Sequence, residues 1–348
     1  MNFIGVDLAW GSKNNTGLCI VRDGKVLTSH LAKTDEEILA WLGPVTAGPC
    51  VVAIDAPLVV TNPTGRRRCE SLISSVFNRS QAGAHSSNLG LSAFSKGVRA
   101  MELTLRLGLP YDPAIDPGVE TRRCLEVYPH PALVALFGLP LTLKYKAKPG
   151  RTVASRQAAF AELFRHLESL TAGFPSFEVT TSPRWAHLRD LVETGGSNAV
   201  LDRCEDEIDA YVCAYVALYY WTHGLAKCRV VGDLGSGYIV TPVTDALALA
   251  LDRAADLPVG PMRSASRPRL SRPPRTAPAA SSERALSGFC GCGCGSLVRA
   301  RYLPGHDARH KSALVRAARS GDNGARAELG RLGWERFIGA VDRPTYRG

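Results

Sequence analysis

The chain reads as an α/β protein, a sheet flanked by helices, followed by a separate small Cys/His-rich C-terminal module. Three observations predict this. Two short apolar runs, Phe3–Leu8 and Cys50–Ile54, each deliver an aspartate, Asp7 and Asp55, where a strand would hold it rigidly. A long apolar segment from Asp206 to His223 has the periodicity of a packed helix and carries Asp209 inside its apolar surface. Finally, a proline-rich stretch separates this body from a Cys-Gly-Cys-Gly-Cys cluster near the end of the 348 residues.

In order along the chain, the run around Asp7 is followed by the turn-prone Gly11–Gly17 and by Gly17–Leu31, interrupted at Arg22-Asp23-Gly24-Lys25. Asp-Gly suits the positive-φ positions of a tight hairpin, so the N-terminus is expected to be a three-stranded antiparallel meander with Asp7 on its first strand. Thr34 before Asp35-Glu36-Glu37 and the apolar positions Ile38, Leu39, Trp41 and Leu42 predict a capped helix. The unalternating run Cys50–Ile54 predicts a strand buried on both faces. Residues 57–120 lack clear strands. They hold the basic triplet Arg66-Arg67-Arg68, a Gly/Ser/Asn-rich stretch from Gln81 to Gly90 and a helix over Ser95–Leu107, and no role falls to Arg66 or Arg79. Thr121–Tyr128 reads as another strand, broken by Pro129 and Pro131, and carries Glu126. Helices are expected near 151–170 and 183–194, then over Asp206–His223, where the acidic start suits the positive end of the helix dipole. Cys228–Gly232 and Tyr238–Val243 read as two last strands around Asp233–Gly237.

The acids carry the functional reading. An ionised carboxylate without a partner is strongly disfavoured in an apolar setting. A chain that seats several there is gathering them around something positive, and a hard divalent cation is the simplest candidate. Asp206 and Asp209, three residues apart on a helix, share a face. Glu205, Asp206 and Glu207 also read, more plainly, as first-turn charges at a helix N-terminus.

The motifs GVDLAW, AIDAP, EVYPHPALVALFG followed by LKYKAK, then DEIDAYVCA and GYIVTP, resemble in order and spacing a family of predicted ribonuclease H-like nucleases of unknown function, domain of unknown function 429. The resemblance covers residues 1–243. It implies a ribonuclease H-like mixed five-stranded sheet flanked by helices. It also implies that Asp7, Asp55, Glu126 and Asp209, with Asp206 beside them, are the catalytic acids. Two Mg²⁺ or Mn²⁺ ions about 4 Å apart would there activate a water and stabilise the leaving oxygen of a phosphodiester. Asp7 would bridge, Asp55 and Glu126 complete one site, and Asp209 with Asp206 the other. His130, between Pro129 and Pro131, is a candidate for orienting substrate and equally a local packing feature.

Charge adds a second line. Residues 1–248 hold 24 basic and 24 acidic side chains, whereas 249–348 hold 18 and 8, so the whole excess of +10 lies in the C-terminal part. A neutral, acid-lined body with a basic extension suits a protein whose tail holds a polyanion, DNA or RNA, that its body cuts. A plain solvated tail has the same composition. The expected organisation is therefore a domain over 1–248, a disordered Pro/Arg/Ser/Ala linker over 249–284, densest from Leu257 to Arg284, and a basic module over 285–348. Three of the ten cysteines, Cys290, Cys292 and Cys294, lie within five residues, followed by His306 and His310. The three thiolates with His306, or His310 in its place, would satisfy tetrahedral Zn²⁺. A segment of about 60 residues needs such a staple to fold. The scattered remaining cysteines and the lack of a signal peptide point to a reducing cytoplasm. No apolar run is long enough to span a membrane.

Two other functions share these features. One is an ATP-dependent kinase or ATPase on the same superfold, Asp7 with Gly11–Gly17 resembling a phosphate-contacting hairpin, although a second Asp-x-Gly loop is lacking. The other is a catalytically inactive nucleic-acid-binding or adaptor protein working through its zinc tail, for which four convergent acids would be superfluous.

Overall fold

A computed structural model describes residues 1–11, 14–94, 97–256, 288–289, 297–298, 306–332 and 334. They belong to two compact units, Met1–Arg263 and Ser264–Gly348.

The first unit opens with the expected meander: β1 (Asn2–Asp7), β2 (Thr16–Arg22) and β3 (Lys25–Ala32) pair antiparallel in sequence. Asp23 and Gly24 take φ values of 50° and 75°, the mirror-turn geometry that Asp-Gly supplies. Helix α1 (Asp35–Thr46) is closed by a capping box in which Thr34 Oγ1 accepts from the Glu37 amide at 3.1 Å and Glu37 accepts from the Thr34 amide. It leads to β4 (Cys50–Ile54), parallel to β1, and later β5 (Arg122–Glu126) lies parallel to β4. The result is a mixed five-stranded sheet in the order β3-β2-β1-β4-β5.

Between β4 and β5 lie α2 (Arg68–Phe77) and α3 (Arg99–Arg106). The first of these helices is unexpected in a stretch so rich in arginine and serine. It forms because Cys69, Ile73 and Phe77, four apart, make one buried stripe. Pro129 does not merely break the strand before it. It occupies the first turn of α4 (Pro129–Phe137), where a missing N–H costs nothing. Then come α5 (Val153–Ser169), α6 (Pro183–Thr194) and α7 (Asn198–His223), and a two-stranded sheet of β6 (Cys228–Asp233) and β7 (Gly237–Pro242).

Helix α7 begins eight residues before the expected start, where Ser197 Oγ accepts from the Val200 amide. Glu205, Asp206 and Glu207 therefore sit two turns inside the helix, and the reading of them as first-turn charges is corrected. Helix α8 (Asp245–Asp256) corrects a second expectation. It carries the first unit past residue 248, so 249–256 are helical rather than linker, because Ala248 and Leu251 bury an apolar stripe. The rest of the expected linker lies outside the described residues.

Two glycines set the depth of the core. A Cβ on Gly5 would stand 1.8 Å from the Ala210 carbonyl oxygen, and one on Gly17 1.9 Å from that of Asp206. β1 and β2 thus touch the backbone of α7 directly, which is what brings the helix's acids down to the sheet. Seven cysteines of this unit, among them Cys19, Cys50 and Cys213, are buried free thiols.

The second unit holds a two-stranded β8 (Gly288–Phe289) and β9 (Leu297–Val298) pair and a helical hairpin, α9 (His306–Arg319) and α10 (Asn323–Arg331). Asp322 caps α10 by accepting from the Ala325 amide at 2.9 Å. Ala318, Ala325 and Leu329 form a small core with Leu314, Val315 and Trp334. No helix among the described residues is long and apolar enough to cross a membrane.

Candidate functional site

Strand alternation sorts the acids before any side chain is considered. Asp7 pairs with Gly17 and lies two residues from Gly5, and both glycines touch α7, so Asp7 faces that helix. Val6, Ile54 and Glu126 are register partners across β1, β4 and β5 and share the opposite face. Asp55 follows Ile54, with its amide donating to the Val6 carbonyl at 2.8 Å, and returns to the face of Asp7. Asp7, Asp55 and Asp209 are thereby brought together at the carboxyl ends of adjacent parallel strands. Glu126 starts from the other face of the sheet, yet it lines the same cleft as Asp7 and Asp55, where Arg67 holds its carboxylate.

The partner of Glu126 is Arg67, the residue before α2. Its guanidinium donates to both Glu126 carboxylate oxygens, at 2.5 and 2.9 Å, to Glu70 at 2.7 Å and to the Val59 carbonyl at 3.0 Å. Glu126 also accepts from the Leu58 amide at 2.9 Å, and Glu70 from the Ser87 amide. All three charged residues are almost wholly buried. Burial works against the charge on Arg67, but Glu126 outweighs it and holds the guanidinium well above its ordinary pKa.

The cation inside the other acid group is Lys146, on the irregular segment between α4 and α5. Its ammonium forms an ion pair with Oδ2 of the fully buried Asp209, whose Oδ1 accepts from the Tyr145 hydroxyl at 2.7 Å. Burial alone would discharge Lys146, yet Asp209, Asp7 and Asp55 hold its pKa well above the usual value. The carboxylates outnumber it. Burial drives Asp7 well above the ordinary carboxylate range, and although Lys146 opposes this, Asp209, Asp55 and Asp206 push it further. Burial lifts Asp55 to about 7, again against Lys146 and with Asp209. Burial and then Asp209 lift Asp206 to about 7. Several buried acids sharing one cation in a cleft make this group the candidate site.

The neighbouring acids of α7 are spoken for. Glu207 accepts from Ser29 at 2.5 Å and from Arg184 at 2.7 and 2.8 Å, and Glu205 from Arg156 at 3.0 Å and the Ala147 amide at 3.1 Å. His130 faces Thr142, Nδ1 to Oγ1 3.0 Å, and burial, with Lys146 and Lys148 nearby, holds its pKa well below the ordinary value. It is a neutral imidazole at the wall of the site.

One cleft of about 240 Å³ is lined by Asp7, Trp10, Asp55, His85, His130, Lys146 and Lys148, and by Arg67, Glu70 and Glu126. Oxygen donors in excess of cations suit a hard divalent ion in kind and in charge. Among the described residues, no three His, Cys, Asp or Glu side chains are gathered as a ready chelate. Lys146 already pairs with Asp209, so an ion held by Asp7, Asp55 and Asp209 would compete with it for that carboxylate. Arg67 and Lys146 are the two site residues that sequence reasoning missed. Their signals were the arginine triplet followed three residues later by Glu70, and the LKYKAK motif itself.

Of the expected zinc ligands, Cys290, Cys292 and Cys294 lie outside the described residues. His306 opens α9 without a described side chain, and His310 is half-buried, its ring edge-on to Trp334 with centroids 6.4 Å apart.

Residues 5–233 match the model of a protein family described as "Protein of unknown function (DUF429)". No curated protein and no solved structure matches the chain.

Proposed function

Because the chain belongs to the DUF429 family, whose description names no activity, we propose its function from the site itself: a divalent-metal-dependent phosphodiesterase acting on nucleic acid, on a ribonuclease H-like sheet. The observation that carries this reading is the convergence of Asp7, Asp55 and Asp209 around a single ammonium at the carboxyl ends of β1 and β4. Strand order β3-β2-β1-β4-β5, with only β2 antiparallel to its neighbours, supports the fold assignment.

Asp7, Asp55 and Asp209 would hold Mg²⁺ or Mn²⁺, with Asp206 on the same helix face. Bound there, the metal supplies a nucleophile at neutral pH and charge stabilisation for the leaving oxygen. The chain's own residues do the rest. In the metal-free site burial holds the Asp55 carboxyl at about 7, so it would give up its proton when a cation binds. Tyr145 fixes the rotamer of Asp209 through Oδ1, leaving Oδ2 directed at the cation position. Arg67 anchors β5 and the loop after β4 as one unit through Glu126 and the Leu58 amide, so that Asp55 is set rigidly. Glu126 is assigned this supporting role in place of metal ligation. The basic segment beyond residue 256 would add sequence-independent grip on the polyanion, with Cys290, Cys292, Cys294 and His306 or His310 on a structural Zn²⁺.

The test is incubation of the full chain with single-stranded, duplex and branched DNA and RNA in Mg²⁺ or Mn²⁺, beside Asp7→Asn. Metal-dependent cleavage that falls by about 10³-fold or more in the variant is expected. Equal cleavage by both proteins would assign the activity to a contaminant. ATP turnover without cleavage would favour a kinase-like chemistry on the same sheet.

A further inference from the structure

Inside the cleft most polar groups are already committed. Arg67, Glu70 and Glu126 satisfy one another, and Lys146 is held by Asp209. Three side chains are left over. Lys148 is exposed, and its ammonium makes no hydrogen bond or ion pair among the described residues. His85 is exposed at the cleft, and partial desolvation with Lys148 nearby lowers its pKa from the ordinary value. Trp10, three residues beyond Asp7, is half-buried, with its ring tilted at 50° against Phe94, centroids 5.4 Å apart.

We propose that this cleft takes a single, unpaired nucleic-acid strand, with one base stacked on Trp10 and the flanking phosphates held by Lys148 and His85. The nucleic-acid identity of the ligand rests on the function proposed above, and the strandedness is new. An aromatic ring held by a second ring is a rigid platform, and every base has a face to stack on it. In a duplex those faces are covered by neighbouring bases, so a stacking platform beside the acids is useful only for an unpaired strand. The cleft is also of nucleotide rather than duplex dimensions. The charge is laid out to match. Phosphates are repelled by Asp7 and Asp55 unless a cation intervenes, whereas Lys148 offers an uncommitted positive charge within the same cleft.

The experiment measures binding of labelled single strands of about 12 nucleotides, and of the same sequence as a duplex, over a salt series. It is carried out on the full chain in the Asp7→Asn background, so that cutting does not disturb the equilibrium. Trp10→Ala should weaken single-strand binding about tenfold and leave duplex binding unchanged, which also serves as the folding control. Trp10→Phe should stay within about threefold of the parent, since a phenyl ring still stacks. Lys148→Ala should reduce the salt slope for the single strand by about 0.7, the value of one phosphate contact. The basic C-terminal segment contributes equally to every variant and cancels in the comparison. Equal losses for single strand and duplex, or no loss with Trp10→Ala, would overturn the inference even if the protein cuts. Trp10-dependent binding in a protein that never cuts would keep it and remove the nuclease reading instead.

Discussion

Arg67→Ala is expected to lower the free energy of unfolding by about 3–5 kcal/mol, the usual result of removing one partner of a buried ion pair. The side chain is 3 % exposed and satisfies Glu126, Glu70 and the Val59 carbonyl at once. Without it, two carboxylates stay buried with only amide donors. Arg67→Lys should recover little, because an ammonium does not reproduce the fork that spans both Glu126 oxygens. Glu126→Gln should cost less than the alanine change, since an amide still accepts from Leu58 and Arg67 keeps Glu70. Urea unfolding of the three variants provides the ranking. A Glu126→Gln protein as damaged as Arg67→Ala would mean that Glu126, not Arg67, is the keystone of this network.

Asp55→Asn should do the opposite to stability while removing activity. Folding lifts the Asp55 pKa from an ordinary 3.8 to about 7, chiefly through burial. Between those values the folded protein keeps a proton that the unfolded chain has released. The wild-type contribution is therefore fully present below about pH 4 and is lost as pH rises through about 7. Asparagine cannot ionise, so the variant escapes this loss. In EDTA it should match the wild type near pH 4 and exceed it by about 2–4 kcal/mol above pH 7. Asp206 and Glu205, also lifted to about 7, contribute to the same decline, which the single substitution will shallow rather than abolish. Thermal unfolding across pH 4–8 is the measurement. A variant less stable than the parent at pH 8 would show that Asp55 is a satisfied structural acid.

The elements legible in the sequence were those with a local signature. The Asp23-Gly24 turn, the Thr34 capping box and the unalternating run of β4 each fixed an element from its own residues, and the meander and the placement of Asp7 followed. The convergence of Asp7, Asp55 and Asp209 was also readable, because two lie at strand ends and the third interrupts a buried helical surface. The pairing of Glu126 with Arg67 was not legible, for a geometric reason. A pleat sends successive residues to opposite faces, and a strand pairing read without its register leaves that choice open. Once β5 aligns Glu126 with Ile54, the carboxylate lies opposite Asp55 in sense and meets Arg67. Lys146 was invisible for another reason: its segment has no periodicity, and only the fold of the preceding and following helices carries it onto Asp209. Helix α7 was underestimated because Arg203 and Asp202 mask the apolar stripe of Leu201 and Cys204 that extends it toward Ser197.

The central claim is that three carboxylates from β1, β4 and α7 form one cation site, with Lys146 as its internal counter-ion. Calorimetric titration of Mn²⁺ into metal-free wild type and Asp7→Asn, with no nucleic acid present, tests it directly. Saturable binding by the wild type, released protons as the acids ionise, and at least tenfold weaker binding by the variant are expected. Equal binding by the two proteins, or none by either, would contradict it.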